Sequence, residues 1–258
     1  MIKALFFDID GTLVGFRTHR MTDSLKECLY ELRAKGVKLF ISSGRHVLVM
    51  NNLEGFPFDG YIAMNGAMTI LDGEVIDHHP LPKEVSLQIA ESAGQLNVPC
   101  LVFADNVYGI NFENEKSQEI SKMVDMSPGP SLDLKRVVLE HDVYQYTLYV
   151  TEEEERQFLH PVLKGVDYPR WHPYFADIVP AGLSKSYGAS KILERIGIGP
   201  DECMAFGDGG NDVPLIEYAG IGVAMGNSPD DVKAAADYVT DSVDDDGVIT
   251  ALRHFGVV

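Results

Sequence analysis

The sequence predicts an α/β fold, a doubly wound parallel sheet interrupted by an inserted α+β domain. Three observations predict it. Apolar runs of the fully buried kind end in small polar residues at Asp8, Ser42 and Gly207. Helical periodicities alternate with those runs, the order that places helices on both faces of a parallel sheet. Between about residues 82 and 180 the texture changes, and the strand-helix rhythm then returns.

The first strand is Lys3 to Phe7, and it runs straight into Asp8-Ile9-Asp10-Gly11-Thr12. Side chains two apart on a strand share a face, so Asp8 and Asp10 lie close together unless the turn at Gly11 rotates Asp10 away. Two neighbouring anions need a cation, a shared proton or separate roles. An Asp-Gly turn is the ordinary reading of such an ending, but the four fixed positions Asp-x-Asp-Gly-Thr arise by chance in roughly one chain of this length in several hundred. Thr22 or Asp23 caps a helix whose apolar face is Leu25, Cys28, Leu29 and Leu32, with Gly36 at its end. Val37 to Ile41 is a second buried strand, ending in Ser42-Ser43-Gly44-Arg45 ahead of a helical stretch over 46 to 53. Tyr61 to Met64 is a third, leading into Asn65-Gly66, and residues 69 to 76 read as a hairpin closed by Asp72-Gly73.

Helical patterns over 82 to 96, 113 to 124 and 151 to 164 alternate with short strands at Cys100 to Phe103 and Tyr144 to Val150. These form the inserted α+β domain, residues 82–180, with residues 1–81 and 181–258 as the sheet domain around it. Glu152 to Glu155 suit the positive end of a helix and read as a solvated face. After Gly182-Leu183-Ser184, a helix from Lys185 to Arg195 precedes the strand Cys203 to Phe206, which ends in Gly207-Asp208-Gly209-Gly210-Asn211-Asp212. Ile221 to Ala224 and Tyr238 to Thr240 continue the sheet, with helices over 229 to 236 and 247 to 254.

The 258 residues suffice for a sizeable core, in one large domain or two. A formal charge of -18 repels nucleic acid and anionic membranes, so a phosphate-handling chain of this kind must bring local positive charge, such as a metal ion. Cys28, Cys100 and Cys203 are far apart in apolar surroundings, which fits buried reduced thiols in a reducing cytoplasm. No basic leader precedes a long apolar stretch, and no run approaches the roughly 18 residues of a membrane span.

In an open parallel sheet the binding crevice lies beyond the carboxyl ends of the strands. Asp8, Asp10, Ser43 and Asp208 sit there, and Lys185 opens a helix feeding the sheet. Three carboxylates, a hydroxyl, glycine-loosened backbone and a lysine are an inventory for Mg²⁺ with phosphate. Taken singly, each segment also has a plain reading: Ser43-Gly44 as a loop, Lys185 as a surface helix start, Asn211 or Asp212 as a helix cap. Position 12 counted from Asp208 is Ala219, which excludes an EF-hand. P-loop, zincin and nucleophile-elbow patterns are absent from the sequence.

In order and spacing, Asp8-Ile9-Asp10-Gly11-Thr12, Ser43-Gly44-Arg45, Lys185 and Gly207 to Asp212 resemble the four motifs of the haloacid dehalogenase superfamily. The whole chain is similar to its Cof-type phosphatases, in particular those cleaving sugar (hexose) phosphates. Agreement extends to Asn65-Gly66-Ala67, Ile221 to Asn227 and Ala234 to Thr240. Ser43 stands where Thr is common, and His46 where Pro is common.

The resemblance implies a Rossmann-type core with a C2-type cap inserted between the second and third motifs. It implies Asp8 as nucleophile, Asp10 as acid and base, and Mg²⁺ held by Asp8, Asp208 and the main-chain carbonyl of Asp10. Ile9, Ser43, Gly44, Lys185 and Asn211 then bind the phosphoryl group, and Asp212 orients Lys185 or a metal-bound water. Arg45, Trp171 and Asp177 are secondary candidates for specificity, with the cap closing over a small phosphorylated substrate. A monomer or small homo-oligomer in the cytoplasm is expected. The alternatives are a phosphomutase or phosphotransferase with the same phospho-aspartate, and a non-enzymatic receiver-like domain.

Overall fold

The structure is a computed structural model that describes residues 1–15, 17, 19–123, 126–159, 164–170 and 173–258. Strands and helices follow in the order β1 (Ala4–Phe7), α1 (Asp23–Ala34), β2 (Lys38–Ser42), β3 (Gly60–Ala63), β4 (Met68–Leu71), β5 (Glu74–His78), α2 (Lys83–Gln95), β6 (Cys100–Ala104), β7 (Tyr108–Ile110), α3 (Glu115–Met123), α4 (Leu134–Glu140), β8 (Val143–Leu148), α5 (Glu152–Leu159), β9 (Val166–Asp167), β10 (Ala176–Pro180), α6 (Lys185–Ile196), β11 (Cys203–Gly207), α7 (Val213–Tyr218), β12 (Ile221–Ala224), α8 (Asp230–Ala235), β13 (Tyr238–Val239) and α9 (Gly247–His254). Two compact units result, Met1–His78 with Leu183–Val258, and His79–Gly182.

The first unit is an eight-stranded sheet in the order β13-β12-β11-β1-β2-β3-β4-β5. Every pairing from β13 to β3 is parallel, and β4 and β5 add an antiparallel edge. β1 lies inside the sheet with all four residues fully buried, as an unbroken apolar run requires. Alternate side chains serve opposite faces. Leu5 and Phe7 pack with Leu29 and Leu32 of α1 and Leu252 of α9, while Ala4 and Phe6 pack with Ala189, Ile192 and Leu193 of α6. Phe7 stacks on Phe206 of β11 and Phe6 on Phe40 of β2, with centroids 5.1 and 4.9 Å apart. Thr22 supplies the α1 cap, its Oγ1 accepting the Leu25 N–H at 3.2 Å. Asp72 and Gly73 both take positive φ, as a two-residue hairpin turn demands.

The second unit is antiparallel, β7-β6-β8-β10-β9. Val102, Tyr146, Leu148 and Ile178 of its sheet share a core with Ile89 and Ala90 of α2 and Val137 and Val138 of α4.

Some local expectations need correction. The helix expected over 46 to 53 is two 3₁₀ turns, Val47–Val49 and Asn51–Leu53, because Met50 leaves helical backbone at ψ 51° and Glu54 turns left-handed. The helix expected over 151 to 164 is described as far as Leu159, and residues 160 to 163 lie outside the described ones. α4 was not expected. It has seven residues, too few for a period to show, and is fixed by Asp133 capping the Lys135 and Arg136 amides. Among the described residues no helix is long and apolar enough to cross a membrane.

Cys28, Cys100 and Cys203 are all buried and form no disulfide, and burial raises each thiol, Cys203 to about 11. A raised thiol stays protonated, and protonated thiols are poor nucleophiles. A disulfide reagent should therefore find almost no thiol in the native chain at either pH 7 or pH 8.5, and three after denaturation. Rapid native labelling that grows tenfold per pH unit would contradict this.

Candidate active site

Five strands of the parallel sheet deliver polar residues to one edge. Asp8 follows β1, Ser43 follows β2, Asn65 comes two residues after β3, Asp208 follows β11, and Asn227 comes three residues after β12. Lys185 arrives from α6, which lies close on the sheet at Gly188, where a Cβ would come within 2.5 Å of Ile62 Cγ2.

Lys185 is fully buried, and its Nζ donates to Asp8 Oδ1 and to Asp212 Oδ1, both at 2.6 Å. Asp212 occupies the N-cap position of α7 without capping it. Its Oδ2 instead accepts the amides of Asp208 and Gly209 at 3.0 and 2.9 Å. That fold-back needs a glycine at 207, where a Cβ would lie 2.3 Å from Asp212 Cγ. Carboxylate oxygens of Asp8, Asp208 and Asp212 lie within 4.8 Å of one another.

Burial pushes the Asp8 carboxyl up to about 8, against the pull of Lys185 and with the push of Asp212. Burial, then Asp212, raises Asp208 to about 7. Burial also works against the charge on Lys185, but Asp212 and Asp8 outweigh it and hold the ammonium protonated. With Asp8 and Asp208 pushed toward their protonated forms for want of positive charge, full ionisation of the three carboxyl groups against one ammonium would leave a deficit of two positive charges. A hard divalent cation fits that oxygen-only set in both charge and ligand type.

Asp10 is not part of this cluster of carboxylates. Its two oxygens accept from Arg45, Oδ2 from Nε at 2.6 Å and Oδ1 from Nη2 at 2.9 Å, a bidentate pair. Arg45 also donates its backbone N–H to Ser43 Oγ at 3.1 Å. Ser43 is buried, and the Ile9 side chain sits in the core, leaving only its main chain to meet a ligand. A Cβ at Gly44 would come within 3.3 Å of Asn65 Nδ2 and 3.7 Å of Asn211 Nδ2, so two amide groups crowd the bare glycine. Asn211 Nδ2 donates to Asn65 Oδ1 at 2.9 Å.

Asp177 belongs to the second sheet, where Thr147 Oγ1 donates to it. Arg170 pairs with Glu155 and donates to the carbonyls of Val150, Pro173 and Phe175, a scaffolding role within that unit. Trp171 lies outside the described residues.

Two residues of the site had no role from the sequence. Asn65 takes φ 54° between Met64 at 49° and Gly66 at 97°, a run of left-handed backbone at the exit of β3, and its N–H donates to the Ser43 carbonyl at 3.1 Å. Asn227 donates to Asp208 Oδ2 and to the Gly11 carbonyl. The available signal was the one that singled out Asp8 and Asp208, a polar residue just beyond a buried apolar run.

The model of the family described as haloacid dehalogenase-like hydrolase matches residues 5–252. The chain belongs to this family. It is 31% identical to YkrA of Bacillus subtilis over 99% of this chain and 98% of that protein. Among solved structures, BT1666 from Bacteroides thetaiotaomicron, a protein studied among the phosphatases of the superfamily, superposes with a TM-score of 0.89 at 36% identity, covering 100% of this chain and 96% of that one. BT4131, a subclass IIB sugar phosphatase of the superfamily, does so with a TM-score of 0.87 at 40% identity, covering 99% and 100%. Family membership makes the chain a hydrolase of phosphatase type and sets aside the receiver-like alternative.

Removing one partner of a buried ion pair strands the other, at a cost of about 3–5 kcal/mol. Lys185→Met leaves Asp212 without its cation while Asp8 keeps its proton, so urea unfolding in metal-free buffer should show a loss of about 3–5 kcal/mol. A loss below about 1 kcal/mol would mean that the ammonium is not what holds the carboxylates.

Proposed function

We propose that the chain hydrolyses phosphate monoesters of small metabolites, sugar phosphates in particular, through a phosphorylated Asp8. The observation that carries this is the Lys185 bridge. It places an ammonium against the Asp8 carboxylate, at the strand end where the other phosphate-type donors gather. The preference for sugar phosphates is drawn from BT4131, which is named a sugar phosphatase.

In the first half-reaction an Asp8 oxygen attacks phosphorus in line, the new O–P bond forms as the P–O bond to the leaving alcohol breaks, and Asp10 gives that alcohol its proton. In the second, water attacks phosphorus, the Asp8 O–P bond breaks, inorganic phosphate departs, and Asp10 recovers a proton from the water. Both Asp10 oxygens accept from Arg45, and each keeps a further lone pair on which a proton can be carried. Lys185, the Gly44 amide, Ser43 and Asn211 offset charge on the transferring oxygens. Asp212 orients Lys185 through its 2.6 Å contact.

Asp8, Asp208 and the Asp10 main-chain carbonyl would hold Mg²⁺, which when bound supplies the positive charge this carboxylate-rich site lacks.

Phosphate release from a panel of sugar phosphates with Mg²⁺ should show turnover that EDTA abolishes and added Mg²⁺ restores. Asp8→Asn should reduce it by at least about a thousandfold while leaving the circular dichroism spectrum unchanged. Unchanged turnover in Asp8→Asn would reject the nucleophile, and an isomerised sugar phosphate in place of free phosphate would make the chain a mutase.

A further inference from the structure

Asp208 is gripped from two sides. On one lies Gly11, at φ 81°, where a Cβ would come within 2.2 Å of Asp208 Oδ2. On the other lies Asn227, whose Nδ2 donates to the same Oδ2 at 3.1 Å and to the Gly11 carbonyl at 2.9 Å. The amide cannot be turned round. Its Oδ1 accepts the Val243 N–H at 2.9 Å, and a backbone N–H only donates, while a carbonyl and a carboxylate only accept. All three partners therefore fix one orientation of Asn227, and the NH₂ group must face Asp208. Asn227 is itself exposed, so this stitch lies at the outer rim of the carboxylate cluster.

We propose that Asn227 is a positioning residue for the divalent cation, holding the Asp208 carboxylate in its ion-binding orientation against the turn at Gly11. This rests on the assignment of Asp208 to Mg²⁺ made above. Carboxylates that ligate metals are themselves oriented by hydrogen bonds, and losing such an outer partner typically weakens metal binding by about 10–100-fold. Because Asn227 acts from the exposed rim, its loss belongs at the lower end, about tenfold.

The test titrates Mg²⁺ alone into the metal-free full chain by calorimetry, with no substrate present, and records thermal unfolding of the same samples. Asn227→Ala should raise the Kd for Mg²⁺ about tenfold relative to the native sequence. Asn227→Ser, whose short hydroxyl cannot span three partners, should also raise it and serves where the alanine variant does not fold. A Kd within twofold of the native value in either folded variant, whatever happens to its Tm, would reduce Asn227 to a stitch between loops and overturn the inference alone. A native chain that takes up no Mg²⁺ would remove the cation assignment and this inference with it.

Discussion

Lys185 has no access to water, and an ammonium so placed survives only because Asp8 and Asp212 each meet it at 2.6 Å. The two carboxylates come from different strand ends, Asp8 from β1 and Asp212 from the loop after β11, while the ammonium comes from a helix that follows the second unit in sequence. One contact thus ties the beginning of the chain to its last third. Asp212 passes the constraint on by taking the amides of Asp208 and Gly209, so the placing of one ammonium also sets the turn that presents Asp208. The glycines at 207 and 11 are part of the same arrangement, since each occupies a position where a carboxyl group of the cluster lies against the Cα.

A second pair is built alongside the first with different chemistry. Arg45 takes both oxygens of Asp10 in a fork that a lysine could not reproduce, and its own backbone N–H is tied to Ser43. The site therefore separates its carboxylates by partner: Asp8 and Asp212 share a point charge within the sheet edge, and Asp10 is held by a planar cation at the exposed side. Identical side chains two residues apart in sequence thus enter distinct electrostatic settings, Asp8 against an ammonium and Asp10 against a guanidinium.

Much of this was legible in the residues. The unbroken run Ala4 to Phe7 could only be a strand covered on both faces, and its full burial follows from that composition. The loaded strand ends were legible together rather than singly, because each has an ordinary turn or loop reading and only the order and spacing of Asp8, Ser43 and Asp208 point to one site. Asp212 shows the limit. Its position ahead of α7 reads as a cap from the local residues alone, its tie to Lys185, 27 residues distant, was implied only by the family resemblance, and the hold of its other oxygen on the Asp208 and Gly209 amides had no signal in the sequence. Asn227 and Asn65 were missed for the same reason, since their partners Asp208, Gly11, Asn211 and Ser43 belong to segments that pattern alone does not bring together. The 3₁₀ turns after Arg45 escaped because Val49 and Leu53 are spaced as on one helix face, and only the backbone at Met50 and Glu54 breaks it.

The exit of β3 carries a further implication. Met64 and Asn65 both hold left-handed backbone, a conformation that costs a side-chain-bearing residue of order 1–3 kcal/mol, and they hold it because Met64 donates to the Arg45 carbonyl and Asn65 to that of Ser43. Two neighbouring loops are in this way latched to each other under tension. A change that loosens the Ser43-Gly44-Arg45 loop lets the β3 exit relax toward ordinary backbone, and Asn65 and its partner Asn211 move with it. The shape of the Ser43-Gly44-Arg45 loop is thereby coupled to a segment further along the chain, and an unfavourable local geometry becomes a guard on the arrangement of the strand ends.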